Sequence, residues 1–233
     1  MTDAATAARE QPLIAIDVVP MSFAPGGGLR VATARRPYEP YAGLEALPGV
    51  LLDGPERLDQ GARRALRTKT GIDAAAVRHL AQIGAFDGPE RDPRDAAISI
   101  AFLAVAAPTP AAQPAPATGT SGDGPRTTSA TWHDVAEVPP HLPFDHDRII
   151  TAALDHVRTR MWRDLPLTRA LLGEVFTTSD AARLHAAVTG AAADPGNLNR
   201  ALRTNPALER TAAVGPTPGG RGGRPPATWA WRN

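Results

Sequence analysis

Cysteine is absent from the 233 residues, which excludes disulfides, thiolate zinc sites and cysteine nucleophiles. Lysine is nearly absent as well: Lys69 stands alone among 25 basic residues, the rest being arginine. With the abundance of Ala and Pro, this reads as nucleotide-composition bias before any arginine-specific chemistry. No run of about 18 apolar residues occurs, so no membrane span is expected. Met1–Glu10 is polar and Ala-rich, without the apolar core of a secretory signal. The expectation is a soluble, cytoplasmic protein with no membrane partner. A strong charge of one sign is missing too: the formal net charge is +1, which gives no whole-chain case for nucleic acid. Its distribution says more. Residues 163–233 carry +4 and residues 1–162 carry −3, as fits a chain whose C-terminal end meets a polyanion.

What is present alternates between strand and helix patterns. Leu13–Val19 is a short, β-branched apolar run, and Leu29–Ala34 can return as a second strand after Gly26-Gly27-Gly28. Leu58, Ala62, Ala65 and Leu66 recur at helical spacing over Leu58–Lys69, with Gly71 as a C-terminal stop. Ala97–Val105 is the strongest strand pattern. From Ala107 to Ala130 the composition collapses to Ala, Pro, Thr, Gly and Ser, and a flexible insertion is expected. A helix is predicted over Asp145–Trp162, with Ile149, Ile150, Ala153, Leu154, Val157 and Met161 on one face. A compact helical unit follows from about Pro166. Three parts are therefore predicted: a disordered residue 1–11 segment, a domain over 12–144, and a linker helix with a DNA-binding unit over 145–233.

The segment Leu47-Pro48-Gly49-Val50 through Glu56, Arg63-Arg64-Ala65-Leu66 and Gly71-Ile72 resembles the Nudix box. Glu56, Arg64, Leu66, Gly71 and Ile72 match its pattern. The box glycine falls on Val50, and its three helix glutamates fall on Ala65, Thr68 and Lys69. Those three positions are i, i+3 and i+4 and are expected to share a face. Where family members offer carboxylates to magnesium, this chain offers a methyl, a hydroxyl and an ammonium. Only Glu56, with Asp53 or Asp59 nearby, remains to bind a metal, so neither a catalytic residue nor a metal or cofactor is assigned. The resemblance implies that the pocket persists without its chemistry. Arg36 and Tyr41 lie where such proteins pass a strand and loop by the nucleotide. Arg91-Asp92-Pro93-Arg94 resembles the segment before a core strand in members that take ADP-ribose. Guanidinium groups suit a pyrophosphate because they bind its oxygens bidentately. Arg36, Tyr41, Glu56, Arg91 and Arg94 are therefore the candidate effector-binding residues.

The C-terminal module reads as two short helices and a hairpin. Thr177 with Asp180 forms a capping box before Ala181, Leu184, Ala187 and Val188, and Gly190 ends that helix. Asp194 followed by Pro195 starts the next. On Pro195–Thr204, Leu198, Ala201 and Leu202 are expected on one face, with Asn199, Arg200 and Arg203 opposite. Such a pair presents a helix to a major groove, where Arg suits guanine and Asn suits adenine. Leu208–Val214 and Ala227–Trp231 are predicted strands flanking a Gly/Arg loop, whose Arg221 and Arg224 can reach phosphates or a minor groove. The DNA-binding candidates are Asn197, Asn199, Arg200, Arg203, Arg221 and Arg224.

With Leu142-Pro143-Phe144-Asp145-His146-Asp147-Arg148-Ile149-Ile150 at the junction and the Gly-Gly-Arg-Pro tail, the chain resembles the Nudix-related transcriptional regulators of NAD metabolism, the NrtR family, over roughly residues 12–233. The fold expected is α+β: a Nudix-like α/β/α sandwich with a mixed sheet, then a C-terminal winged helix-turn-helix. The resemblance implies a homodimer on a palindromic double-stranded operator, repressing NAD biosynthesis or salvage genes until ADP-ribose or a related metabolite releases it. Two other classes stay open at this point: a weak Nudix hydrolase of ADP-ribose, and a protein–protein adaptor with a solvated basic tail.

Overall fold

The computed structural model describes residues 11–89, 91–108, 129–211 and 227–232. The predicted flexible segment, except its ends, and the Gly/Arg loop with Arg221 and Arg224 lie outside the described residues, as do residues 1–10.

Strand β1 (Leu13–Phe23) runs four residues past the predicted Val19. It pairs antiparallel with β2 (Leu29–Arg35) and parallel with β6 (Ala97–Ala106), which pairs antiparallel with β5 (Val77–Phe86). Two-residue β3 (Glu45–Ala46) flanks β2, β4 (Gly49–Leu51) adds to β1, and β7 (Thr131–Asp134) adds to β2. The sheet is thus mixed, ordered β3-β2-β1-β6-β5.

Strand alternation divides its side chains between two cores. Ile16, Val18, Phe102 and Ala104 face α1 (Leu58–Thr70), which contributes Ala62, Ala65 and Leu66. That helix lies close to β1 because small residues line it: a Cβ on Gly61 would stand 2.4 Å from Ile16 Cδ1. Val19, Met21, Leu103 and Val105 face the other way, against Ile149, Ala153 and Val157 of α2 (His146–Arg160) and Leu167 and Leu171 of α3 (Leu165–Leu172). The three-layer expectation of helix, mixed sheet and helix is met.

The second core does not stop at the sheet. It continues without a break into α4 (Thr178–Thr189), α5 (Pro195–Thr204) and a small three-stranded sheet, through Phe176, Leu184, Leu202, Trp229 and Trp231. That sheet is ordered β8-β10-β9, from β8 (Val175–Thr177), β9 (Leu208–Thr211) and β10 (Thr228–Trp231). The predicted boundary at residue 144 therefore falls between the sheet and the helix that covers its second face.

The helix ends are set locally. Gly71 and Gly190 close α1 and α4 with φ of +72° and +71°, a left-handed conformation that glycine adopts without a Cβ clash. Thr177 and Asp180 bond reciprocally at the start of α4, and Asp194 accepts the Asn197 N–H ahead of Pro195, as the sequence predicts.

Candidate functional site

Strand β2 ends at Arg35, and the loop that follows folds back on itself. The Arg36 N–H donates to the Leu44 carbonyl and the Gly43 N–H to the Arg36 carbonyl, both at 2.8 Å. Arg36 Nε donates to the Pro40 carbonyl at 2.8 Å. These bonds fix the guanidinium over the ring of Phe144, 4.6 Å from its centroid. Arg94 reaches the same ring at 5.9 Å, and Tyr41 meets it edge-on at 5.0 Å. Three of the five predicted effector-binding residues, Arg36, Tyr41 and Arg94, therefore converge on an aromatic residue that the sequence reading did not single out. Its only advance signal was the Leu-Pro-Phe-Asp-His junction itself.

The electrostatics of this cluster suit an anion. Arg94 Nη2 holds Asp92 Oδ2 at 2.6 Å, and that bond keeps the Asp92 carboxyl below, and Arg94 above, their usual ranges. Burial first, and then the neighbouring Arg94 charge, hold Arg36 below the usual arginine range. Arg94 is hydrogen-bonded to Asp92, whereas Arg36 feels the carboxylates of Asp92, Asp17 and Glu39 only through their charge, so an anionic group bridging the two guanidiniums would relieve their repulsion.

Arg91 is a correction to the predicted set. Its side chain is 3% exposed and its Nη2 lies 2.7 Å from Asp17 Oδ2, so it does not line the open cluster. The cause is Asp17, a carboxylate carried into the sheet by the apolar strand β1, which requires a cation beside it. Ser99 Oγ also donates to Asp17 Oδ2 at 2.7 Å, and His146 Nε2 stands 3.5 Å from Oδ1. Burial pushes the Asp17 carboxyl up, but His146, Ser99 and Arg91 outweigh it and bring it to about 2. His146 Nδ1 in turn accepts the Leu47 N–H at 2.9 Å, and its ring lies 5.6 Å from that of Phe144. The buried network thus touches the arginine–aromatic cluster through His146.

Glu56 lies apart from the cluster contacts. Arg64 holds it through Nε at 2.9 Å and Nη2 at 2.7 Å, while Nη2 also donates to the Leu51 carbonyl. That bond keeps the Glu56 carboxyl below its usual range. On the same helix, positions 65, 68 and 69, expected to share one face, differ in depth. Ala65 is fully buried against the sheet, whereas Thr68 is exposed and Lys69 half-buried. The helix packs so closely at Gly61 and Ala65 that position 65 turns inward. Among the described residues, no three His, Cys, Asp or Glu side chains are grouped to hold a metal.

At the other end, α5 buries Leu198 and Leu202 and exposes Asn197, Arg200 and Arg203. Ala201, expected inside, is exposed, because two leucines one turn apart suffice for so short a helix. Asn199 is half-buried and its Nδ2 donates to the Pro195 carbonyl at 2.8 Å. Helix α5 packs beside β9, and the register of β9 with β10 places Arg210 opposite Trp229 and Leu208 opposite Trp231. No helix among the described residues is long and apolar enough to cross a membrane.

Comparison with known proteins agrees with this geometry. The NUDIX domain matches residues 14–153, reaching into α2. A curated relative, the ADP-ribose pyrophosphatase of Methanocaldococcus jannaschii, is 28% identical over 121 residues, 52% of this chain, and the chain spans 63% of that protein's length. The crystal structure of Shewanella oneidensis NrtR complexed with a 27mer DNA aligns over 94% of this chain and 93% of its own, with a TM-score of 0.70 and 21% identity. The NUDIX domain of the same protein complexed with ADP ribose aligns over 67% of this chain and 99% of its own, with a TM-score of 0.52 and 24% identity. At these identities the likeness to the solved structures is one of fold.

Proposed function

The chain belongs to the NUDIX domain family, and from that premise we propose that it is a DNA-binding transcriptional regulator whose NUDIX domain senses a nucleotide instead of hydrolysing it. The observation that carries this reading is the shared fold with NrtR bound to DNA, which extends over 94% of the chain and so includes α4, α5 and the small sheet as well as the NUDIX region. In this reading α4 and α5 form a helix-turn-helix, β9 and β10 form the wing, and residues 12–144 and 145–233 divide sensing from DNA binding. Asn197, Arg200 and Arg203 meet the major groove, with Asn199 beside them, and Arg221 and Arg224 contact the DNA backbone.

The effector is ADP-ribose or a related NAD metabolite. Arg36 and Arg94 take its diphosphate and Tyr41 adds an aromatic face. Glu56, held by Arg64 ahead of α1, is a further candidate contact to the ligand. A homodimer on a palindromic operator, repression of NAD biosynthesis or salvage genes, release by the effector and a cytoplasmic location complete the proposal.

The curated relative named as an ADP-ribose pyrophosphatase favours a second reading, a weak hydrolase. Positions 65, 68 and 69 weigh against it, because they offer a buried methyl, a hydroxyl and an ammonium where the family pattern has carboxylates.

The test is binding of the purified chain to the duplex upstream of its own gene and to an unrelated duplex of equal length. The proposal expects preference for the former, lost in the R200A/R203A double variant. Equal affinity for both duplexes would refute it.

A further inference from the structure

The ring of Phe144 stands between the arginine pair and the start of α2. It carries Arg36 at 4.6 Å and Arg94 at 5.9 Å, side chains from two segments far apart in sequence. Two residues later His146 opens α2, and its imidazole lies 5.6 Å from the same ring. His146 is itself fixed, by the Leu47 N–H at Nδ1 and by Asp17 beyond Nε2. From there α2 packs Ile149 and Ala153 on the sheet, in the same core that reaches Leu184 of α4 and Leu202 of α5.

The backbone at this point is strained. Phe144 and Asp145 have φ of +61° and +56°, and Tyr41, which meets the ring edge-on, has φ of +65°. None of the three is glycine, and a bulky residue in this region is an outlier held by its surroundings. Two successive left-handed residues at the head of a helix depend on the contacts around them, so a change in those contacts bears directly on the joint. Such an element can be biased from either side, which is what coupling between two sites requires.

We propose that Phe144 is a positioning residue: its ring arrays Arg36 and Arg94 for a diphosphate, and the Phe144–Asp145 joint passes occupancy of that site to α2. The inference rests on reading the cluster as a nucleotide site and adds the residue through which that site acts. An arginine face can stack on a ring while its in-plane N–H groups bond phosphate oxygens, so Phe144 remains in place as the ligand binds. A diphosphate draws two guanidiniums together that otherwise repel, and the ring they share stiffens in place with them.

The experiment uses the full chain without DNA. Hydrogen exchange of the α2 amides is followed with and without saturating ADP-ribose in the parent, F144A and F144Y, alongside calorimetric ADP-ribose affinity. In the parent, saturation shifts α2 exchange by about tenfold, the scale of ordinary site coupling. F144Y keeps the ring and behaves as the parent. F144A binds ADP-ribose several-fold more weakly and, once saturated, leaves α2 exchange unchanged. An α2 response in saturated F144A equal to the parent's overturns the inference, as does a parent whose α2 ignores bound ADP-ribose. Because DNA is absent, failure of the chain to bind an operator would sink the regulator reading without touching this result.

Discussion

The backbone N–H of Gly26, in the turn between β1 and β2, donates to Oδ1 of Asp180 at 3.2 Å, across 154 residues of sequence. The same carboxylate accepts the Thr177 N–H at 2.9 Å and its hydroxyl at 2.6 Å and pairs with Arg183. One side chain therefore caps α4 and ties it to the first hairpin of the sheet. Burial pushes Asp180 up, but its bonds to Thr177 and Gly26 and the Arg183 charge hold its carboxyl below the usual range.

Replacing Asp180 by Ala removes its half of the capping box and the tie to Gly26 together, while the Thr177 hydroxyl still caps the N–H of residue 180, and is expected to cost about 1–3 kcal/mol. Urea denaturation of both chains measures it. A carboxyl whose folded value is depressed stabilises above its unfolded value, and this contribution fades as pH falls toward the folded one. The gap between parent and variant should accordingly narrow in acid.

Arg91 and Arg94 stand three residues apart and should behave oppositely. Arg91→Ala leaves Asp17 buried without its guanidinium and should cost about 3–5 kcal/mol, the usual penalty for halving a buried pair. Arg36→Ala and Arg94→Ala, at the open cluster, should change stability little and weaken ADP-ribose binding about tenfold or more, as loss of a charged phosphate contact does. Thermal melts and calorimetry separate the two outcomes. Asp17 at about 2 adds its own signature: its stabilisation is complete above the ordinary aspartate value near 3.9 and is lost as pH falls from there toward 2.

The box helix makes a prediction about restoring catalysis. Thr68→Glu and Lys69→Glu, at an exposed and a half-buried position, should fold normally. Ala65→Glu places a carboxylate in the core formed by Ile16, Val18 and Phe102 and should destabilise the chain by more than about 3 kcal/mol. Full Nudix glutamates therefore cannot simply be grafted back. Magnesium-dependent turnover of ADP-ribose should stay at background in the parent and in the two tolerated variants.

His79 on β5 and His156 on α2 each have a buried Nε2 without a partner. Burial pushes both imidazoles below the histidine reference of 6.5, Arg160 and His79 push His156 further down, and Asp164 opposes this for both. The folded chain thus resists protons that the unfolded chain accepts. Stability contributed at this seam is complete above about pH 6.5, the unfolded histidine value, and falls as pH drops toward the depressed folded values. Melting temperatures at pH 7.5 and 5.5 should differ less for H79Q/H156Q than for the parent.

Local chemistry was legible in the sequence where it acts over a few residues. Thr177 with Asp180, Asp194 with Pro195, and Gly71 and Gly190 fixed helix ends because caps need only their neighbours. Strands β1 and β6 were plain from their apolar runs, whereas the short β3, β4, β7 and β8 carry too few residues for a pattern. The fates of Arg91 and Arg94 were hidden because Asp17, 74 residues upstream, decides between them. A lone carboxylate within Leu13–Val19 was the available hint that a buried cation must come from elsewhere. Ala65 turned inward for a similar reason: its direction depends on how closely Gly61 lets α1 approach Ile16, a tertiary distance no periodicity encodes.

The central claim is that one chain couples a nucleotide site to a DNA site. Equilibrium anisotropy with the upstream duplex, at one fixed salt concentration, with ADP-ribose titrated to saturation, tests it most directly. Specific binding is expected, with a Kd that rises by about 5–150-fold at saturation and with DNA weakening ADP-ribose by the same factor. An unchanged Kd for DNA while calorimetry shows ADP-ribose bound would contradict it.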